Sequence, residues 1–353
     1  VTPSPSIVRR RTLGASLGLG DALFASNEEK SFARAIEAGL EKVEAGLTAQ
    51  LSFADDIADA AGRYLLDAGG KRVRPVLALL TAQLGEGASD DVVVAAQAVE
   101  ITHVASLYHD DVMDDAQVRR GVPSAQTVWG NSVAILTGDL LFARASKLIA
   151  GLGERALTIQ ADVFERLCLG QLHETVGPQP GQDPIEHYLG VLADKTGSLI
   201  SCAALVGVIF SNAPDEYRKP VEVFGEKVGV AFQLVDDVID LSAAIEQTGK
   251  AAGTDLRAGV PTLPLLYLRR EAQTDAEAAA LLARLDAGLA PDADTELFAQ
   301  AVAELREHPV TEATLAEARR WADDAVAALE PLPEGPVKKS LSRFAQAIVE
   351  RSG

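Results

Sequence analysis

Residues 108–121, Tyr-His-Asp-Asp-Val-Met-Asp-Asp-Ala-Gln-Val-Arg-Arg-Gly, constrain this chain more than any other stretch. The residues before them, 90–107, are rich in Ala and Val and hold no Pro or Gly, so the aspartates are expected in the last turns of a long helix. On that helix Asp110 and Asp114 are i,i+4 neighbours and Asp111 stands three residues before Asp114, which puts three carboxylates on one side. Like charges at that spacing repel, and the C-terminal end of a helix dipole is the wrong end for anions. Something strongly positive is therefore expected to sit on them. An all-oxygen donor set suits Mg²⁺, which bridges carboxylates to the phosphates of a substrate.

The pattern recurs at Gln233-Leu-Val-Asp236-Asp237-Val-Ile-Asp240, in a second apolar helix. One acidic cluster on an acidic protein reads most simply as a solvated face. Both clusters, however, continue apolar runs that must pack inward, so they lie at the mouth of a core. Two such helices facing each other would grip a diphosphate through metal ions. Bases are bunched where an anion would need them. Gly69-Gly70-Lys71-Arg72-Val73-Arg74-Pro75 is a glycine turn with bases at a helix N-terminus, and Arg119-Arg120 follows the first aspartates. His103, two turns deeper than Asp110 on nearly the same face, reads as a satisfied core histidine or as a further anion ligand beside Lys71 and Arg74.

Periodicity predicts helices over 31–48, 54–68, 75–84, 90–116, 131–149, 154–175, 185–212, 215–244 and 261–271, with four more by residue 350, and no run alternates as a strand. The expectation is an all-α, single-domain bundle of ten or more helices with one contiguous core around a central apolar cavity. Residues 1–27, with two prolines and Arg9 to Arg11, read as a tail, leaving 28–353 as the domain. A chain of 353 residues, 48% of them hydrophobic, can fill a core of that size. Residues 247–259, carrying Gly249, Gly253 and Gly259, are the natural lid. A net charge of −19 argues against nucleic acid as a partner and against an electrostatically held membrane site. Cys168 and Cys202 lie in apolar helical runs and read as buried free thiols. No stretch is read as a membrane span or a signal peptide, so the expected location is cytoplasmic.

Taken in order, the 69–75 run, His109-Asp-Asp-Val-Met-Asp114 with Arg119-Arg120-Gly121, Gly138-Asp139, Lys195-Thr196 and Gln233 to Asp240 resemble the trans-prenyltransferases, the head-to-tail polyprenyl diphosphate synthases. The match runs from about Ser31 to the end. It implies an isoprenoid synthase-like fold, usually a homodimer, and a prenyltransferase that adds isopentenyl diphosphate to an allylic diphosphate. It also implies three Mg²⁺ ions per active site. Carried over by position, Asp110, Asp111 and Asp114 on one helix and Asp236, Asp237 and Asp240 on the other would hold the metal against the allylic diphosphate. Arg119, Lys195, Thr196, Gln233 and Lys250 would assist them. Lys71, Arg74, His103 and Arg120 would seat the isopentenyl diphosphate. One departure stands out: many members carry Gly-Lys before Pro-Thr-Leu-Pro, whereas this chain has Gly259-Val260-Pro261-Thr262.

Below Asp110 the helix carries Ser106, Ala105, Thr102, Ala98 and Ala95, a stripe of small side chains about 20 Å long at ~1.5 Å of rise per residue. In the family, bulky residues just before the first aspartates give short products. Ala105 and Ser106 therefore resemble long-chain synthases, with Leu141, Phe142 or Leu148 as the floor, although small residues serve close helix packing equally well. The rivals are a metal phosphohydrolase, a short-chain farnesyl or geranylgeranyl diphosphate synthase, a terpene cyclase and a regulatory subunit of a two-part synthase. The first lacks further histidine ligands, the cyclase has no second diphosphate to seat, and a silent subunit has no need of both acidic motifs. Chain length, primer and the fate of the product stay open, with no more than transient membrane contact expected at release.

Overall fold

The computed structural model describes residues 27–242, 252–290 and 295–350. The expected tail, apart from Asn27, and Lys250 with most of the lid segment before it lie outside the described residues. The first helices are α1 (Asn27–Gln50), α2 (Asp56–Asp67), α3 (Val73–Ala82) and α4 (Asp90–Met113). Their starts are written locally: Asp55 accepts hydrogen bonds from the N–H groups of Ile57 and Ala58, and Ser89 accepts one from Val92. After α4 come two short strands, β1 (Val118–Arg119) and β2 (Val122–Pro123), then α5 (Ala125–Trp129), α6 (Asn131–Ala150) and α7 (Glu154–Val176). Next are α8 (Pro184–Leu192), a π turn (Ala193–Gly197), α9 (Ser198–Phe210), a 3₁₀ turn (Asp215–Tyr217) and α10 (Arg218–Asp240). The C-terminal part consists of α11 (Thr254–Arg257), α12 (Leu263–Glu271), α13 (Ala276–Gly288), α14 (Thr295–Glu307), α15 (Pro309–Ala328) and α16 (Pro336–Glu350).

The bundle is built on α4, α9 and α10. Helix α4 lies along α6, α9 is clasped between α3 and α10, and α10 runs along α15. Helix α9 is apolar on nearly every side, as a central helix must be. The segment Pro184–Phe210 is long and apolar enough to cross a membrane, contrary to the sequence reading, but 67% of its most apolar window is buried inside the fold. It is the middle of a core.

Three expectations need correcting. The core is not one contiguous cluster: α11 to α14 fold over the end of α10 and form a satellite core around Phe298, Leu281 and Leu305, with Leu241 as its link to α10. The helix expected over 185–212 is interrupted by the π turn, and α4 ends at Met113 rather than at residue 116. The all-α class holds, with one minimal strand pair beside the helices: Arg120 and Gly121 both take positive φ, 55° and 78°, and a two-residue turn of that kind closes the antiparallel pair β1–β2.

The π turn is held where two backbones nearly touch. A Cβ at Gly229 of α10 would stand 2.6 Å from the Cα of Gly197, too close for any side chain. Gly229→Ala is therefore expected to cost ~1–3 kcal/mol, read as a lower urea midpoint. Gly190→Ala, with nothing within 4 Å of its Cβ, should leave the midpoint unchanged or raise it.

Candidate active site

The end of α4 divides its carboxylates between two directions. Asp110 is turned toward Lys195 and Asp114. Burial pushes its carboxyl up to about 6; Lys195 opposes the rise and Asp114 adds to it. Asp114 is exposed, and its N–H closes the helix on the carbonyl of Asp110 at 2.8 Å. Asp111 departs from the expected common face: it is fully buried and accepts a hydrogen bond from Nε of Arg119 at 2.7 Å. The β1–β2 turn brings that arginine back to the helix. It also sends Nη1 of Arg120 to the carbonyls of Leu65 and Gly69 at the end of α2.

The three aspartates of the second acidic helix are placed differently from one another. Asp237 is 1% exposed. Its Oδ2 accepts hydrogen bonds from the Tyr188 hydroxyl at 2.6 Å and the Leu263 N–H at 3.3 Å. Burial pushes its carboxyl up to about 8, against those two hydrogen bonds. Asp240 anchors the returning chain, its carboxylate accepting from the Asp255 N–H at 3.0 Å and its carbonyl from Gly253 at 2.8 Å. Asp236 lies half-buried on α10, one turn after Gln233.

The π turn carries Lys195 and Thr196, a placement common for π segments at working sites. Burial works to lower the Lys195 pKa, but Asp110, Glu174 and Asp114 outweigh it and hold the ammonium above its ordinary value. Its Nζ donates to Glu174 Oε2. Arg166 clamps the turn from outside, its Nε on Asp194 at 2.8 Å and its Nη2 on Glu226 of α10 at 2.8 Å. Sequence reasoning missed Glu174 and Arg166, which carry no motif of their own.

Two turns down α4, His103 sits among arginines. Burial, then Arg74, Arg120, Arg119 and Arg72, push its pKa well below the ordinary value. It is a neutral imidazole that can donate one N–H, rather than a cation. Arg74 is itself lowered to about 10 by burial, with Glu100 opposing and Arg120 adding to the shift. Lys71 stands at the exposed rim. Arg72, at φ +52°, points inward: it donates to Glu44 Oε1 at 2.6 Å and to the carbonyls of Leu66 and Gly69.

A narrow apolar cavity lies below, lined by Ala98 and Thr102 of α4, Ile149 of α6, Val163 of α7 and Cys202 and Phe210 of α9, among others. Burial pushes the Cys202 thiol up to about 12, so it is an inert wall, whereas Cys168, expected to be buried, is exposed. Ala105 is fully buried, and Ser106 spends its hydroxyl on the carbonyl of His103 at 2.9 Å. Phe142 stacks instead between His109 and Phe164, with ring centroids 5.5 and 4.7 Å away, and Leu141 packs toward Gly62 on the other side of α6. The expected floor is corrected accordingly: Ile149 and Phe210 line the cavity, and Leu148 packs behind them.

The family model described as polyprenyl synthetase matches residues 55–303. The nonaprenyl diphosphate synthase of Mycobacterium tuberculosis is 42% identical over 97% of this chain and 98% of its own length. The heptaprenyl diphosphate synthase component 2 of Geobacillus stearothermophilus is 35% identical over 82% of this chain and 89% of its own. Among solved structures, a polyprenyl synthase from Caulobacter crescentus with calcium and isoprenyl diphosphate superposes with a TM-score of 0.83 at 31% identity, covering 91% of this chain and 97% of that one. A geranylgeranyl pyrophosphate synthase from Corynebacterium glutamicum, also with calcium and isoprenyl diphosphate, gives 0.78 at 41% identity, covering 93% and 99%.

Asp237 ties the site to stability. Folded, it keeps its proton up to about pH 8, whereas an aspartate in the unfolded chain releases it near ~4. Between those values the folded state binds more protons, so stability falls as pH rises. In chelator-treated protein, Asp237→Asn is expected to flatten the fall in melting temperature between about pH 5 and about pH 8. Parallel pH profiles for the two proteins would mean that Asp237 is already ionised in the fold.

Proposed function

The chain belongs to the polyprenyl synthetase family, and from that premise we propose how its residues make a medium- to long-chain polyprenyl diphosphate. It is a prenyltransferase that joins isopentenyl diphosphate to an allylic diphosphate. The observation that carries the assignment of residues is that one helix serves both anions. Asp110 ends α4 beside Lys195, and His103 with Arg74 and Arg120 lies seven residues back, about 10 Å along the axis. That is the separation over which two diphosphates can be held while their carbon ends meet.

Activity depends on a divalent metal, and we assign Mg²⁺, three ions per site. Asp110, Asp114 and Asp236 are the donors that fit: hard oxygens, the first with its carboxyl raised to about 6 and so poised to gain from a nearby cation. Mg²⁺ would complete its shell with diphosphate oxygens and water. When bound, such ions neutralise charge on the leaving diphosphate. Lys195, kept protonated by Asp110 and Glu174, adds to that charge stabilisation. The allylic carbon–oxygen bond breaks with its electrons leaving on diphosphate. The double bond of the homoallylic substrate forms the new carbon–carbon bond, and the proton lost from the adjacent carbon goes to the released diphosphate. Gln233 and Thr196 would offer amide and hydroxyl oxygens to the cation, and an apolar setting would keep water from it.

We assign the exposed apolar face of α6 and α7 to a second copy of the chain. Leu136 (66% exposed), Leu172 (55%) and Val176 (61%) stand on it with Phe164 and Ile135, more apolar surface than a lone bundle would leave to water. The name of the Geobacillus relative favours a second reading, a component of a two-part synthase, in which the same face takes a different subunit.

Incubation of the pure protein with Mg²⁺, labelled isopentenyl diphosphate and an allylic primer, read by mass spectrometry, is expected to give chain elongation; no product from the lone protein would favour the two-part reading. Asp110→Ala should lower turnover by roughly 100-fold or more. Ala98→Phe is expected to shorten the product and Phe210→Ala to lengthen it; unchanged lengths in both would remove this cavity as the product tunnel. Leu136→Glu combined with Phe164→Glu should convert a dimer to monomers by sedimentation, and a wild type that already sediments as a monomer would refute the pairing.

A further inference from the structure

The arginine cluster contains a buried acid to which the reading above gives no task. Glu100 stands three residues before His103 on the same face of α4 and is 2% exposed. Its Oε1 lies 3.5 Å from Nη1 of Arg72, while its Oε2 is buried without a hydrogen-bond partner. Leaving a carboxylate oxygen in that condition is unfavourable. Nor is Glu100 needed to fasten the guanidinium groups of Arg72 and Arg120. Arg72 is held by Glu44 and by the carbonyls of Leu66 and Gly69, and Arg120 by the carbonyls of Leu65 and Gly69. What it does supply is charge. Its field reaches both Arg74 and Arg120, opposing in each the effect of burial.

The balance of the cluster then has a meaning. Of the buried and half-buried groups around a neutral His103, Arg119 is matched by Asp111, while Arg72, Arg74 and Arg120 bring three positive charges against two negative ones from Glu44 and Glu100, so three less two leaves a surplus of one. Without Glu100 the surplus would be two. A stronger anion seat could be had by deleting a single acid, and the chain does not take that course. The chemistry supplies a reason. Each condensation leaves the new allylic diphosphate on the seat of the homoallylic substrate, and it must move to the acidic end of α4 before the next round. A seat that binds too well would stall elongation.

We infer that Glu100 is a positioning residue that shares the charge of Arg72, Arg74 and Arg120 and so weakens their hold on the homoallylic diphosphate, allowing the elongated chain to move on. The inference rests on the assignment of Arg74, His103 and Arg120 to that seat. A role confined to the fold would alter stability without separating the two substrates.

Glu100→Gln keeps the side chain's size and removes its charge. The KM for isopentenyl diphosphate is expected to fall about three- to tenfold, with the KM for the allylic primer unchanged and multiple-turnover kcat reduced by a similar factor. Single-turnover condensation should keep its rate. Titration calorimetry with inorganic diphosphate should show tighter binding to the variant. Glu44→Gln, at a half-buried position on α1, removes a charge from the same cluster and should act in the same direction by about twofold, so the inference stays testable if Glu100→Gln does not fold. A KM for isopentenyl diphosphate that rises or stays constant in whichever of these variants folds overturns it. Arg74→Gln separates the two levels of the argument. If it leaves that KM unchanged, the seat itself is misassigned; if it raises the KM while the Gln variants fail to lower it, the role of Glu100 alone is lost.

Discussion

Compensation of buried charge on α4 is the constraint on which the rest of the site depends. Asp111 is matched by Arg119 at 2.7 Å and Glu100 by Arg72 at 3.5 Å, two pairs set eleven residues apart, about 16 Å along one face. Neither arginine belongs to α4. One arrives on β1, beside the β1–β2 turn, and the other at the start of α3, where Glu44 and the carbonyls of Leu66 and Gly69 hold it as well. Breaking either pair would strand a buried carboxylate, which costs several kcal/mol on the order of 3–5. Asp110 is the exception. It forms no ion pair among the described residues and lies in the field of Lys195, with its carboxyl pushed up to about 6. A cation brought in from outside gains at such a position, because among the described residues no lysine or arginine forms an ion pair with Asp110.

The π turn gives the second half of the same arrangement. A regular helix through 184–210 would turn successive side chains by a constant angle; the wider turn at Ala193–Gly197 lets Lys195 face α4 while α9 continues as core. Tight backbone contacts fix it on two sides, with Gly229 of α10 against Gly197 and Gly170 of α7 against Lys195. Arg166 ties it to α10 through Glu226. The lysine is thus supported by both α7 and α10, and its place relative to Asp110 follows from the packing of those helices rather than from its own rotamer.

Much of this was legible in the sequence, and the parts that were not share a cause. The acidic ends of α4 and α10 and the bases at 71–74 are rare residues at local spacing, so a reading by helical period finds them. Period does not say where a carboxylate finds its partner. Asp111 turns to Arg119, Asp237 to Tyr188, and Asp240 to the N–H of Asp255, partners set by tertiary structure. The same holds for Glu174 on Lys195 and for Arg72 on Glu44. Strands of two residues are too short to alternate, and a π turn leaves no mark on hydrophobic period. The satellite core was invisible because the helices that form it are individually ordinary, and only their contact with one another shows that they close over the end of α10.

The stripe of small residues on α4 admitted two readings, and the structure divides them along its length. At the top, α4 and α6 cross so closely that a Cβ on Gly138 would lie 3.2 Å from the carbonyl of Ala105, so smallness there serves packing. Two turns lower, Ala98 and Thr102 line the apolar cavity, and smallness there leaves room. The remaining walls come from α6, α7 and α9, with Ile149, Val163, Leu199 and Phe210 reaching into the same space. An open stripe is therefore necessary for a long product but not sufficient for one, since any of three other helices can close the cavity without changing a residue of α4. On the assignment of this cavity to the growing chain, the motif beside the aspartates identifies the chemistry more sharply than it fixes the product, because four helices share the enclosing walls.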